Sequence, residues 1–489
     1  MTTLASTSPT ATTPDRRWYA LVVIAVAQLM TALDATIVNI ALPSAQHSLG
    51  FGDSARQWVV TAYTLCFAGL LLLGGRVADV LGRRRAFQVG LTGFALASLM
   101  AGLAPDLPVL IAGRAVQGAF AALIAPAALS LLAVTFTDQT ERAKAFGVFG
   151  AVASSGAAAG LLLGGVLTEY LDWRWCLFVN VVVAGAVLAA ARLVLPDPPR
   201  APGARIDLGS ATLATGGLAA VVYGCSQAAT RGWSSIVVAV SMLVGVGALA
   251  GFGVRQRHMA TPLLPLQIVT ERNRAGAYLA AATAVIGSFG MFLLLTYHLQ
   301  VVLHYSPVRA GLAVLPLTLA NSVSGYQLGS RLLPRVAPRV LIAGGLVIAA
   351  SGLAVLTQLD PHSAYLTSIL PAEILVGVGM GALFPPAFSL AMRGVTQRDA
   401  GVASAVIGTA TQVGSSIGTA VLNTIAVSST AAYVASHAPS PGRQVAALVH
   451  GYAGATAWSA ALLAAMAVLV FVLVNAPRPP ARNTAAKEA

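Results

Sequence analysis

GGRVADVLGRRR, running from Gly74 to Arg85, separates two apolar runs, Trp58 to Leu73 and Ala86 to Ala104. Runs of that length and hydropathy are membrane spans, so the stretch between them reads as a short loop. Glycines permit a tight turn and close approach to neighbouring helices. Four arginines and one aspartate, Asp79, place fixed charge at the membrane face. Two readings stand side by side: a conformational latch in which Asp79 and Arg83 pair with each other or with helix ends, and a basic loop that only sets topology. The latch is the reading adopted for Gly75, Asp79, Gly82 and Arg83; Arg84 and Arg85 set topology.

Working outward, the same alternation fills the chain. Of 489 residues, 57% are hydrophobic and 9% charged, against about 25% charged in soluble domains. Fourteen spans follow, near 18-42, 57-75, 86-104, 108-134, 143-168, 174-195, 208-228, 234-254, 275-302, 307-330, 339-358, 364-391, 400-428 and 452-475. With the N-terminus inside, 23 of the 29 Lys and Arg residues fall in cytoplasmic segments and five outside, so both termini are expected in the cytoplasm. Gly329 to Arg339 repeats the spacing of Gly75 to Arg85 in degenerate form. Two six-helix halves with an inserted pair account for it: a tail over 1-15, a first bundle over 16-200, two inserted helices over 201-258, a second bundle over 259-475, and a tail over 476-489.

Composition also excludes functions. The net charge of +13 is scattered through loops, without the clustered basic face that nucleic acid requires. Cys66, Cys176 and Cys225 lie in apolar surroundings and read as core residues. The seven histidines show no ligand spacing, so neither a metal nor a cofactor is expected. No G-x-x-x-x-G-K-[ST] loop occurs, which excludes a nucleotide-driven pump in this chain.

Three ionisable residues are stranded within the spans as drawn: Asp34, Arg114 and Glu373. Asp34 lies about 24 Å from the inner face and Arg114 about 9 Å from the outer face at ~1.5 Å per residue. Both fall in the outer third of a core of about 30 Å, where they can pair. A charge at such depth costs roughly 2.5–3.5 kcal/mol and marks a functional site by default. Proton coupling through Asp34, Arg114 and Glu373 is the functional reading. A permanent ion pair pinning span 1 to span 4, and a Glu373 snorkelling toward water, are the structural alternatives. Gly156, Gly160, Gly164 and Gly165 form a packing face of small residues on span 5. Gln28, Asn39, Tyr63, Gln117, Tyr297, His298, Asn321 and Gln412 are candidates for a central substrate cavity.

These motifs carry a family resemblance. Gly75, Asp79, Gly82, Arg83 and Arg84 fall on the pattern between helices 2 and 3 of the major facilitator superfamily, with Val80 in place of a basic residue. LDATIVNIALP, residues 33 to 43, resembles the span 1 signature of fourteen-span drug:proton antiporters, with Asp34 as the acidic residue. LIAGRAVQGAFAA, residues 110 to 122, is similar to the span 4 motif and supplies Arg114, Gln117 and Gly118. On span 5 the antiporter signature is matched at Gly156, Gly160, Gly164 and Gly165, but Leu161 stands where the family has proline.

The resemblance implies an all-α polytopic membrane protein of the major facilitator fold, two six-helix bundles with two inserted helices. It implies a monomeric secondary transporter in the plasma membrane, exchanging lipophilic drug-like or antibiotic molecules for protons, with no enzymatic activity; the richness in Ala, Gly, Val and Arg with almost no Lys points to a GC-rich bacterial source. The alternative is a carrier for one specific metabolite.

Overall fold

The computed structural model describes residues 14–196 and 207–476, apart from positions 52, 260, 261, 306, 334, 361, 362, 397, 398 and 439–441. The two tails and the link before residue 207 lie outside the described residues. Helices α1 (Pro14–Leu49), α2 (Asp53–Leu81), α3 (Arg83–Gly102), α4 (Leu107–Thr135), α5 (Gln139–Tyr170) and α6 (Trp175–Val194) come first. The hairpin of α7 (Leu208–Arg231) and α8 (Ile236–His258) follows, then a single turn, α9 (Leu266–Thr270). Next are α10 (Arg272–Tyr297), α11 (Pro307–Ala313), α12 (Leu315–Ser324), α13 (Pro338–Leu356), α14 (Leu370–Ala391), α15 (Ala400–Ser436) and α16 (Arg443–Leu473). Three π-helical turns extend α10, α12 and the start of α14, over His298–Val302, Gly325–Ser330 and Tyr365–Ile369. Among the described residues there is no strand. Nine of the described helices are long and apolar enough to cross a membrane, and the rods together are consistent with fourteen passes.

Local chemistry sets several boundaries. Asp106 caps α4 by accepting from the Val109 amide at 3.0 Å, with Pro108 in the first turn, where its missing N–H costs nothing. Asp207 caps α7 through the Ser210 amide at 2.8 Å. The segment expected as a loop from Gly75 to Arg85 is helical almost throughout: α2 runs on to Leu81 and α3 begins at Arg83. Only Gly82, at φ 92°, breaks the path, a conformation that glycine adopts without a Cβ clash. The glycines before it serve packing rather than turning.

In the first half α1 lies on α5 and α6, α2 on α4, and α3 on α4 and α6; in the second, α10 lies on α15 and α16, α13 on α14 and α16, and α12 on α14. The halves meet where α15 touches α2 and α4, and where α5 touches α11, α12 and α14. The inserted α7 packs on both α2 and α15, closing the seam beside them. At the foot of this hairpin Arg255 holds Asp207 through two bonds of 2.9 and 3.2 Å. Gln256 ties Ser210 to the Leu264 amide at 2.6 and 3.0 Å. Apolar side chains such as Leu193, Ile236, Leu243 and Val468 point outward, as they do on lipid-facing helices. We propose the boundaries 16–200, 201–258 and 259–475 for the two bundles and the inserted pair.

Candidate functional site

Asp34, near the middle of α1, is fully buried, as is Arg114 on α4. Arg114 Nη1 donates to Asp34 Oδ2 at 2.6 Å. Asp34 Oδ1 accepts from Asn180 Nδ2 at 2.6 Å and from Gln117 Nε2 at 3.2 Å. Gln117 also accepts from Arg114 Nη1 at 2.9 Å and reaches Ser98 Oγ at 2.5 Å. Arg114 Nε donates to the Val59 carbonyl at 3.4 Å, and its guanidinium lies 4.4 Å from the centre of the Tyr63 ring. Five helices, α1, α2, α3, α4 and α6, thus contribute to one buried ion-pair network. A buried ion pair persists only where its remaining lone pairs and protons are satisfied, and here Asn180, Gln117 and the Val59 carbonyl do so.

Beside this pair is a cavity of about 570 Å³ bounded by α1, α2, α4, α7 and α15, with Gln28, Tyr63, Arg114, Ser226 and Gln412 on its wall. That volume lies within the range of small-molecule sites. Gln117 stands behind Arg114 as part of the ion-pair network, not on the cavity wall. His298 is buried in the second half and Asn321 packs near Gly377 and Gly381; neither lines this cavity. The side chains of Asn39 and Tyr297 lie outside the described residues. Asn180 and Ser98 escape sequence reading because each is a single neutral polar residue in an apolar helix; a lone asparagine amid WCLFVNVVV is the one available signal.

At the end of the molecule carrying the arginine-rich segment, the halves are in close contact. Asp79 Oδ1 accepts from the Gly401 amide at 3.2 Å, in the first turn of α15. Amides there have no partner within the helix and sit at the positive end of its dipole, so the carboxylate serves α15 as a cap from another helix. A methyl group on Gly75 would sit 2.6 Å from the Gly401 carbonyl oxygen. One on Gly401 would sit 2.5 Å from the Gly75 carbonyl oxygen. Ser404 Oγ donates to the Pro126 carbonyl at 3.0 Å and lies 3.3 Å from Ser130 Oγ. Burial lowers the pKa of Arg83, and the charge of Asp79 offsets part of that. The Arg255 guanidinium, helped by Ser210, holds half-buried Asp207 well below the usual carboxylate range.

Glu373 on α14 is fully buried and belongs to the second half. Tyr365 Oη donates to the Ala313 carbonyl at 2.6 Å and lies 3.3 Å from Glu373 Oε2. Glu373 Oε1 has no hydrogen-bond partner among the described residues, and it does not snorkel to the surface. Gly156, Gly160 and Gly164 pack against α1 around Ala32, Leu33 and Ile37, and Gly165 is half-buried. The first three thus make contacts within the first half. It is Gly147 and Gly150, nearer the start of α5, that face Gly325, Phe384 and Phe388 of the second half.

The Major Facilitator Superfamily profile matches residues 24–419. The chain belongs to that superfamily. It is 50% identical over 96% of its length to the puromycin resistance protein pur8 of Streptomyces alboniger, covering 94% of that protein. It is 41% identical to the cephamycin export protein CmcT of Amycolatopsis lactamdurans, over 86% of this chain and 87% of that one. The multidrug resistance protein Stp of Mycobacterium tuberculosis is 33% identical, over 81% of this chain and 73% of Stp. The crystal structure of the human organic anion transporter MFSD10 (TETRAN) matches with a TM-score of 0.66 at 16% identity, covering 95% of this chain and 100% of that one; the fold is shared. This member of the superfamily is a multi-pass membrane transporter, and these three relatives are bacterial.

Proposed function

We propose that this transporter exports lipophilic drug-like or antibiotic molecules in exchange for protons. The names of the relatives support the export reading, but the observation that carries the mechanism is the double duty of Arg114. It lines the cavity and it holds Asp34. A proton arriving on Asp34 removes the charge that Arg114 pairs with, so the guanidinium is freed toward the cavity and the wall changes with it. Breaking a buried pair costs about 3–5 kcal/mol. One proton moving through 100 mV supplies about 2.3 kcal/mol, and each pH unit of gradient adds about 1.4 kcal/mol. The gradient therefore matches the cost of opening the pair, which a single proton per cycle can drive.

With the arginine-rich end in the cytoplasm, the contacts of Asp79 and Gly75 with α15, and of Ser404 on α15 with α4, close the inner side, and the cavity lies beyond them. We assign Asp79, with Gly75, Gly82 and Arg83, to the latch that holds this state, and Glu373 to a second proton-bearing position. The test is uptake of puromycin and lincomycin into inverted vesicles under an imposed pH gradient, with wild type beside Asp34→Asn. Gradient-dependent transport lost in the mutant is expected. Transport that survives Asp34→Asn refutes coupling through this carboxylate.

A further inference from the structure

The cavity wall has an unusual balance of charge. Its polar groups are hydroxyls and amides, among them Gln28 of α1, Thr61 of α2, Ser226 of α7, and Gln412 and Ser416 of α15. Among the described residues its one charged side chain is Arg114. No carboxylate is among the described residues that line it. Among the described residues the buried acidic side chains are Asp34, Asp79 and Glu373. Asp34 has no exposed surface, and both its oxygens are taken, by Arg114, Gln117 and Asn180. Asp79 faces the Gly401 amide at the far end of α2, and Glu373 is enclosed beneath Tyr365.

A permanent cation entering this cavity gives up its water, finds no anion to replace it and meets a guanidinium. Burying a charge without a partner is strongly unfavourable. An uncharged amphiphile instead lays its apolar surface on Ala32, Val60, Phe67 and Val222, and its hydroxyl or amide groups exchange water for the polar belt. The inserted hairpin takes part in that belt, because Ser226 of α7 comes within 3.4 Å of Thr61 of α2.

We infer that the cavity selects uncharged, hydrogen-bonding amphiphiles and rejects permanent cations, with Ser226 on the inserted helix as one of the selecting groups. This deepens, and rests on, the export reading above. Two fluorescent probes of similar size separate the possibilities: the uncharged 2-hydroxyethyl amide of dansyl sulfonic acid and its 2-(trimethylammonio)ethyl counterpart. Each is titrated into the purified full-length protein in detergent, and pH-gradient-driven flux of each is then read in proteoliposomes.

The uncharged probe is expected to bind at least tenfold more tightly than the cation. Ser226→Asp is expected to narrow or invert that ratio, whereas Ser226→Asn, which keeps a neutral polar group, leaves the order unchanged. Equal or tighter binding of the cation by wild type overturns the inference, and so does binding of neither probe. A preserved ratio that Ser226→Asp fails to move overturns the part played by α7. Selective binding without gradient-driven flux keeps the cavity assignment and counts against the export reading, so the two fail separately.

Discussion

Replacing Gly401 with alanine is expected to open the arginine-rich end of the protein. The added methyl would sit 2.5 Å from the Gly75 carbonyl oxygen and 2.6 Å from Asp79 Oδ1. Both separations are shorter than real carbon–oxygen contacts, and the first obstacle is backbone that cannot rotate away. Overpacking of this kind costs about 1–3 kcal/mol, and the cost falls only on the state in which α2 and α15 touch. The helix-forming preference of alanine over glycine, about 1 kcal/mol, acts on α15 in open and closed states alike and cancels. At about 1.4 kcal/mol per factor of ten, the open population should rise roughly fivefold to 150-fold.

Ser404→Cys, in a background where Cys66, Cys176 and Cys225 are alanine, supplies the readout. Ser404 is 1% exposed beneath this contact, so its reaction with a membrane-impermeant maleimide added from the arginine-rich side measures opening. Gly408→Ala is the control, because its methyl would meet Leu71 at 3.6–3.8 Å, an ordinary contact. Labelling of the Gly401→Ala protein at the parent rate, or equal acceleration by Gly408→Ala, would refute the reasoning.

Other consequences can be checked alongside it. Asn180→Leu removes a 2.6 Å donor to Asp34, and a hydrogen bond to a charged group is worth about 1.5–3 kcal/mol; thermal unfolding in detergent should show that loss, and unchanged stability would mean the other donors suffice. Tyr365→Phe leaves the Ala313 carbonyl without its 2.6 Å partner and should destabilise by about 1–3 kcal/mol in the same assay. Glu373→Gln keeps shape and hydrogen bonding, so we expect near-wild-type unfolding with reduced gradient-driven transport; full transport would remove Glu373 from the proton path.

Much of this was legible in the chain because the membrane makes polar residues conspicuous. Asp34 and Arg114 stood out as charges in apolar runs, and counting residues from the helix ends brought them to one depth. What counting cannot give is azimuth, the direction each side chain takes around its helix. Asn180 and Ser98 join the pair because α6 and α3 turn those faces inward, and a neutral side chain in a span carries little signal by itself. The Gly75–Arg85 segment misled in another way. Glycines there read as a turn, yet Gly75 is helical and is small because Gly401, distant in sequence, crosses it. Asp79 likewise finds its partner in a backbone amide, which no residue type announces. On α5 the glycine pattern was plain, but which neighbour it served depended on the packing of α1.

The two halves repeat one backbone contact and fill it with opposite chemistry. A methyl on Gly118 of α4 would run into the Tyr63 carbonyl and approach the Phe67 amide; one on Gly377 of α14 would run into the Leu317 carbonyl and approach the Asn321 amide. The partners are four residues apart in both cases, so α4 on α2 and α14 on α12 are the same crossing made twice. One turn before each glycine stand Arg114 and Glu373. One turn before each struck carbonyl stand Val59 and Ala313. In the first half Arg114 itself donates to the Val59 carbonyl and has Asp34 as counter-charge. In the second half a carboxylate cannot donate, and Tyr365 supplies the hydrogen to Ala313 instead. That hydroxyl hydrogen is then committed at 2.6 Å, while Glu373 makes no ion pair among the described residues. An ionised Glu373 then faces the Tyr365 oxygen at 3.3 Å with no hydrogen to share, whereas a protonated one can donate to Tyr365 Oη. The same niche therefore suits a fixed cation in one half and a proton in the other. RAVQG and EILVG share only their glycine, so the equivalence emerges only when the helices are seen to cross.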